Sequence, residues 1–251
     1  MAEYTPAPGS IVLPGINFCT FCQKIFYQNH HLERPDHTKL MLNRTTFCSI
    51  VIVLFHMVGL YGFLMPSLEN LFISLVPFHL LLMLILLIVS GQDSSLEIIT
   101  LALVVSLSGF LIEVIGVNTG FIFGSYSYRT ALGIKLWDTP LMIGVNWLIL
   151  VYCTGVFLEQ FKLKSRFVFS ALGAMILLGL DLLIEPVAMR FDYWTWSGGN
   201  IPLQNYIGWY IVSFLLFWYF SGMDFKKENK AAIVLLFAQL SFFVVLNIWA
   251  L

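Results

Sequence analysis

The sequence predicts an all-α polytopic membrane bundle of about seven transmembrane helices. The first observation is composition. The 251 residues are 59% hydrophobic and 11% charged, with a mean hydropathy of +0.87. A soluble domain carries about 25% charged residues, so this chain has too few polar side chains to cover a water-facing surface. The second observation is that seven apolar runs each approach the roughly 20 residues that cross a hydrocarbon core. Backbone in lipid has only itself to hydrogen-bond, so each run is expected to be a helix. A net charge of −1 offers no basic surface to nucleic acid.

In chain order, residues 1–44 form a polar, turn-rich extension and residues 45–251 the transmembrane domain. The extension contains Pro6, Pro8, Gly9, Pro14 and Gly15. It also carries Cys19-x-x-Cys22 with His30, His31 and His37 further on. Cysteine pairs followed by histidines supply structural zinc sites, but this spacing departs from the common finger patterns and no second Cys pair follows. The extension is read as dispensable and no metal is assigned. Cys19, Cys22, Cys48 and Cys153 are too scattered for a disulfide framework. The first apolar run begins near Thr45, after a mixed polar stretch, which is not the usual form of a cleavable signal peptide.

The apolar runs are Thr45–Met65, Leu68–Ser90, Leu96–Ile115, Pro140–Leu158, Phe167–Met189, Asn205–Met223 and Ala231–Leu251. A tight turn at Pro66-Ser67 joins the first two, and Pro77 is a candidate kink in the second. Basic residues orient the bundle. The N-terminal side and the even loops hold Lys24, Arg34, Lys39, Arg44, Lys162, Lys164, Arg166, Lys226, Lys227 and Lys230; the opposite side holds only Arg129, Lys135 and Arg190. The N-terminus is therefore expected in the cytoplasm and the C-terminus outside, in a cell inner membrane.

That topology gathers the unusual polar residues into one membrane layer. Glu113 ends the third run, and Asp181 and Glu185 end the fifth. Asn146, Trp147, Asn205 and Trp209 open the fourth and sixth runs on the same side. Ionisable residues within a membrane segment are functional or paired by default. Asp181 and Glu185 are four residues apart, about 6 Å along one helix face. Two carboxylates that close do not both ionise cheaply, so one is expected to hold a proton, as a general acid must. The competing reading is that the acids bond neighbouring helices, or that Arg129 and Arg190 neutralise them. Asp138 and Asp192 read as caps or loop acids, and Glu69, Asp93 and Glu97 as solvated. His56 and His79 read as helix-packing hydrogen-bonders rather than metal ligands.

Around the acids cluster Phe121, Phe123, Tyr126, Tyr128, Trp137, Trp147, Tyr193, Trp194, Trp196, Tyr206 and Trp209. Some belong to an interfacial belt. The crowding beside the acids also suits a slot for a polyene and the stabilisation of a cation.

Two blocks carry a family resemblance. The first is Glu113 with Gly116-x-x-Thr119-Gly120, Phe123-Gly124-x-Tyr126-x-Tyr128, Leu132-Gly133, Pro140-Leu141 and Asn146-Trp147. The second is Asp181, Glu185-Pro186, Trp194-x-Trp196, Ile201-Pro202-x-x-Asn205-Tyr206 and Trp209. In these blocks, over roughly residues 96–223, the chain resembles the integral-membrane carotenoid hydratases, the carotenoid 1,2-hydratases and bisanhydrobacterioruberin hydratases. The resemblance implies addition of water across the terminal double bond of an acyclic carotenoid end group, giving a tertiary alcohol, as a hydro-lyase without cofactor. The partners implied are a lycopene-like or C50 polyene, water and the lipid bilayer.

Residue reading and resemblance combine into one assignment. Asp181 is the expected proton donor, Glu185 the water-orienting carboxylate and Glu113 the cation stabiliser. Phe123, Tyr126, Tyr128, Asn146, Trp147, Trp194, Trp196, Asn205 and Trp209 are the expected substrate-binding residues. A carotenoid cyclase or isomerase would use the same acids without adding water. A non-catalytic carotenoid-binding membrane protein is the remaining class. A retinal photoreceptor lacks its lysine, since Lys230 only borders the last run.

Overall fold

A computed structural model describes residues 37–249. The chain divides into two compact units, Met1–Leu40 and Met41–Leu251, and the helical bundle is the second. The Cys19-x-x-Cys22 motif with His30 and His31 lies outside the described residues, as does the His37 side chain. Among the described residues, no group of three or more His, Cys, Asp or Glu is placed to hold a metal ion.

The helices are α1 (His37–Leu64), α2 (Glu69–Ser90), α3 (Leu96–Thr119), α4 (Met142–Glu159), α5 (Arg166–Arg190), α6 (Leu203–Gly222) and α7 (Lys230–Trp249). Six are long and apolar enough to cross a membrane. The exception is α6, whose 20 residues still span about 30 Å. Gln204, Asn205, Trp209, Tyr210, Trp218 and Tyr219 dilute its hydropathy. Sequence punctuation sets several helix ends. Ser95 and Ser165 accept hydrogen bonds from Ile98 N–H and Val168 N–H at the starts of α3 and α5. Gly120, at φ 66°, ends α3 in the left-handed conformation. The start of α1 at His37, ahead of the expected Thr45, carries no hydropathy signal.

The bundle is organised around α4. In its membrane window 67% of residues are buried, against 22–28% in α1, α2 and α3. The closest helix approaches are α5 against α6 and α3 against α4, and α1 approaches no other helix as closely. Large apolar side chains such as Ile85, Ile88, Leu103 and Leu215 remain exposed on the outer faces, as a bilayer solvent permits.

The loops separate into two groups. On one side, Lys226 N–H donates to Asp93 (2.6 Å) and Lys227 pairs with Glu159 (3.0 Å). On the other side, Arg190 pairs with Glu69 (3.3 Å), which brings the α1–α2 turn to the α5 end. Glu69 and Asp93, expected to be solvated, are therefore partnered. This second side carries structure that hydropathy could not reveal. Strands β1 (Tyr126–Tyr128) and β4 (Trp194–Trp196) pair antiparallel, Tyr126 opposite Trp196 and Tyr128 opposite Trp194. A smaller ribbon joins β2 (Lys135–Leu136) to β3 (Thr139–Pro140).

Asn229 ties the first side together. Its Oδ1 accepts from Ala231 N–H (3.1 Å), Ala232 N–H (3.4 Å) and Ser90 Oγ (3.1 Å), and its Nδ2 donates to Leu87 O (3.1 Å). It thus caps α7 and satisfies an end carbonyl of α2. Asn229→Ala should destabilise the bundle by about 1–3 kcal/mol, read as a lower thermal midpoint in detergent, with Asn229→Asp intermediate because it keeps only the acceptor.

Candidate active site

The site begins with the period of two in a strand, which places residues i and i+2 on one face. Tyr126 and Tyr128 therefore project together from β1, and Trp194 and Trp196 from β4. Both pairs point their polar ends at carboxylates. Tyr126 Oη donates to Glu113 Oε2 at 2.5 Å and Tyr128 Oη to the same oxygen at 2.8 Å. The other oxygen, Glu113 Oε1, accepts from Trp147 Nε1 at 3.1 Å. Glu185 Oε2 accepts from Trp194 Nε1 (3.0 Å) and Trp196 Nε1 (2.8 Å). Asn205 Nδ2 bridges the remaining acids, donating to Asp181 Oδ2 at 2.8 Å and to Glu185 Oε1 at 3.4 Å.

The three carboxylates differ in how fully they are satisfied. Glu113 has three donors spread over both oxygens. Glu185 has two strong donors on one oxygen and a long contact on the other. Asp181 has one donor, and its Oδ1 has no hydrogen-bond partner. All three are buried. Among the described residues no cation pairs with any of them. Arg129 pairs instead with Asp192 (3.4 Å) and Arg190 with Glu69, so the arginines do not neutralise the site. Burial and the neighbouring Glu113 push the Tyr126 and Tyr128 phenols well above their usual range, which keeps both as O–H donors.

Aromatic packing fixes these donors. Trp147 stacks on Trp209, ring centroids 4.3 Å apart at 19°. Tyr126 lies against Trp196 at 4.9 Å, and Phe123 meets Tyr126 edge-on. Gly109 lies one turn before Glu113 on the same face of α3. A Cβ there would meet Trp147 Cγ at 2.5 Å, so only glycine lets the indole lie close enough to reach Glu113.

A cavity of about 30 Å³ lies at the centre, walled by Glu113, Glu185, Tyr126, Tyr128, Trp194, Trp196, Asn205, Trp209, Phe123 and Asn146, with Ile143 and Ile184. A void of about 10–15 Å³ on this measure holds one water, so the space suits one or two small groups. Of the twelve residues assigned catalytic or substrate-binding roles from the sequence, two are absent from the wall. Trp147 stands behind Glu113 and Trp209, and Asp181 stands behind Asn205. The Asn146 side chain makes no hydrogen bond among the described residues, yet lines both this cavity and a larger apolar one beside it.

The sequence named the aromatics as π faces. In the structure, Tyr126, Tyr128, Trp147, Trp194 and Trp196 act first as hydrogen-bond donors to the acids. The paired Tyr-x-Tyr and Trp-x-Trp spacing was the available signal. His56 and His79 differ from the expected interhelical hydrogen bonding. His56 Nδ1 bonds Ile52 O of its own helix at 2.8 Å, and the two rings meet edge to face at 4.9 Å.

Residues 72–251 match the family described as carotenoid biosynthesis protein. The chain is 33% identical over 130 residues to the bisanhydrobacterioruberin hydratase of Haloarcula japonica, a match covering 47% of this chain and 44% of that protein. The matched part is thus less than half of that relative's length. No solved structure matches the chain.

Gly109→Ala should push Trp147 off Glu113 and destabilise the protein by about 1–3 kcal/mol. Near-ultraviolet circular dichroism should lose the signal of the stacked Trp147–Trp209 pair, which Phe110→Leu, a neighbouring control, should retain.

Proposed function

The chain belongs to the carotenoid biosynthesis protein family, and from that premise we propose that it is a hydratase adding water to the terminal double bond of an acyclic carotenoid. One observation carries the reading. Two buried carboxylates, Glu113 and Glu185, border a cavity sized for a water, a third, Asp181, stands behind Asn205, and among the described residues all three have only neutral O–H and N–H donors as partners. Three uncompensated charges in an apolar interior are untenable, so the cage holds at least one proton. Glu113, with three donors, is best suited to remain an anion. Asp181, with a single donor and an orphan oxygen, is the favoured resting place of the proton. Glu185, one turn away on α5, is the member of that pair exposed to the cavity.

The reaction then balances without a cofactor. The Asp181–Glu185 pair gives a proton to the less substituted alkene carbon, and the π bond becomes a C–H bond and a tertiary cation. Glu113 and the faces of Tyr126, Trp196 and Trp209 stabilise that cation. A water held by Asn146 and Glu185 forms the C–O bond, and its released proton returns to the pair. A cyclase or isomerase would have no use for the water-sized space, which is why hydration is preferred. The relative from Haloarcula japonica is named as a bisanhydrobacterioruberin hydratase, which supports the choice of hydration.

The acid cage would lie in the non-cytoplasmic half of an inner membrane, with the N-terminus inside and the C-terminus outside. The support is the division of Lys and Arg between the two loop groups. Residues 45–251 would suffice for activity. Reporter fusions after Lys230 and after Leu251 should report opposite sides, and the same side for both would overturn the orientation.

Expression in a lycopene-producing host should yield pigment heavier by one water. Asp181→Asn, Glu185→Gln and Glu113→Gln should each lower product formation by about 10²–10⁴-fold in folded, membrane-inserted protein. Near wild-type turnover in all three would reduce the carboxylates to packing residues, and a product of unchanged mass would indicate a cyclase or isomerase.

A further inference from the structure

Beside the acid cage lies a larger cavity of about 350 Å³, formed mainly by α1, α2 and α7. Ile143, Asn146, Ile184 and Trp194 line both spaces, so they form the partition between them. The larger cavity also reaches the outer face of the bundle. Phe55, Val58, Leu75 and Phe78 line it and are 41–66% exposed on the surface that faces lipid. Its size falls in the range of small-ligand pockets, and its wall is almost entirely apolar.

The polar side chains in that wall are His56, His79 and Gln239, with Asn146 at the partition and the Tyr193 and Trp194 rings beside it. Gln239 is 8% exposed, and its Oε1 has no hydrogen-bond partner. Neither ring nitrogen of His79 makes a hydrogen bond among the described residues. An unsatisfied polar atom in such a place is costly to leave without a partner. Among the described residues no protein donor reaches Gln239 Oε1, so a group entering the cavity is what can supply the missing bond. Gln239 Oε1 is an acceptor, and its missing partner must donate. A hydroxyl meets that need, whereas a carbonyl or an ether does not.

We infer that the cavity between α1, α2 and α7 is a berth for the shaft of a polyene, entered sideways from lipid, and that Gln239 with His56 and His79 binds a hydroxyl carried on that chain. The inference rests on the reading of the ligand as a carotenoid. The chain lies across the bundle, its reacting end passes the partition at Asn146, and its hydroxyl stays on the lipid side of that partition. Counting from the helix ends on the acid side, His56, His79 and Gln239 are eight, ten and ten residues deep, level with Asp181 at nine and about one turn deeper than Glu113 at six and Glu185 at five.

The test uses purified full-length protein in lipid nanodiscs and three probes: lycopene, a monohydroxylated lycopene and its methyl ether. An achiral polyene gains visible circular dichroism only when bound in a chiral site, so lipid-dissolved pigment is silent. The hydroxylated probe should bind roughly 3–10-fold more tightly than the other two, and Gln239→Leu should bring that ratio to about one. A Cβ on Gly59 has only Phe242 at 3.6 Å in reach, so Gly59→Phe should fill the berth and abolish the signal from all three probes. Leu75→Trp, at a lipid-facing position, provides a second block should Gly59→Phe not fold. Equal affinity for the three probes, a ratio unchanged in Gln239→Leu, or wild-type signal in a blocked variant would each overturn the inference. Induced dichroism without any hydrated product would instead count against the hydratase reading and leave the berth standing.

Discussion

The structure depends on keeping three carboxylates inside an apolar bundle with no cation, among the described residues, against them. The solution is a set of rigid, neutral donors. Tyrosine hydroxyls and indole N–H groups provide hydrogen bonds while their rings remain compatible with a greasy interior. An arginine would have satisfied the same oxygens and fixed them as anions. Tyr126, Tyr128, Trp147, Trp194, Trp196 and Asn205 satisfy some oxygens and leave others free. That uneven distribution makes one carboxyl suited to hold a proton and another suited to face positive charge. Much of the surrounding architecture follows from positioning these donors. Glycine at 109 admits an indole, and the β1–β4 ribbon brings the two aromatic doublets face to face.

Much of this was legible in the sequence, for definite reasons. Hydropathy places α2 to α7 within a few residues because a bilayer tolerates only backbone that satisfies itself. The shared layer of Glu113, Asp181 and Glu185 follows from chain direction alone. The β1–β4 ribbon was not legible, because three-residue strands separated by dozens of residues carry no periodic signal. The place of Asp181 behind Asn205 was equally hidden, since helix rotation and side-chain reach decide it, and four-residue spacing does not. Gln239 attracted no notice because one glutamine in an apolar run is unremarkable until its neighbours are known.

Polar and apolar tasks are divided between two halves of the bundle. The closely packed pairs α3–α4 and α5–α6 carry the cage, where donor and acceptor must be held to tenths of an ångström. Helix α1 stands off more loosely, and α1, α2 and α7 enclose the roomier cavity. The cage is held between closely packed helix pairs, and the larger cavity has the loosely packed α1 as one wall. The partition of Ile143, Asn146, Ile184 and Trp194 is where the two spaces meet.

The β1–β4 pairing also has a consequence for biosynthesis. Trp196 follows its partner Tyr126 by 70 positions in the chain. At about 5–20 residues per second, the ribosome delivers the second strand several seconds after the first. During that interval α4 joins α3, the Tyr126–Tyr128 strand has no mate, and Asp181 and Glu185 arrive only shortly before Trp194. The half-built cage must therefore wait at the insertion machinery, with Glu113 held by its own tyrosines and Trp147, until the second aromatic doublet arrives to close it. A nascent chain arrested between α4 and β4 would expose that waiting state as an acid-bearing helix pair in search of its lid.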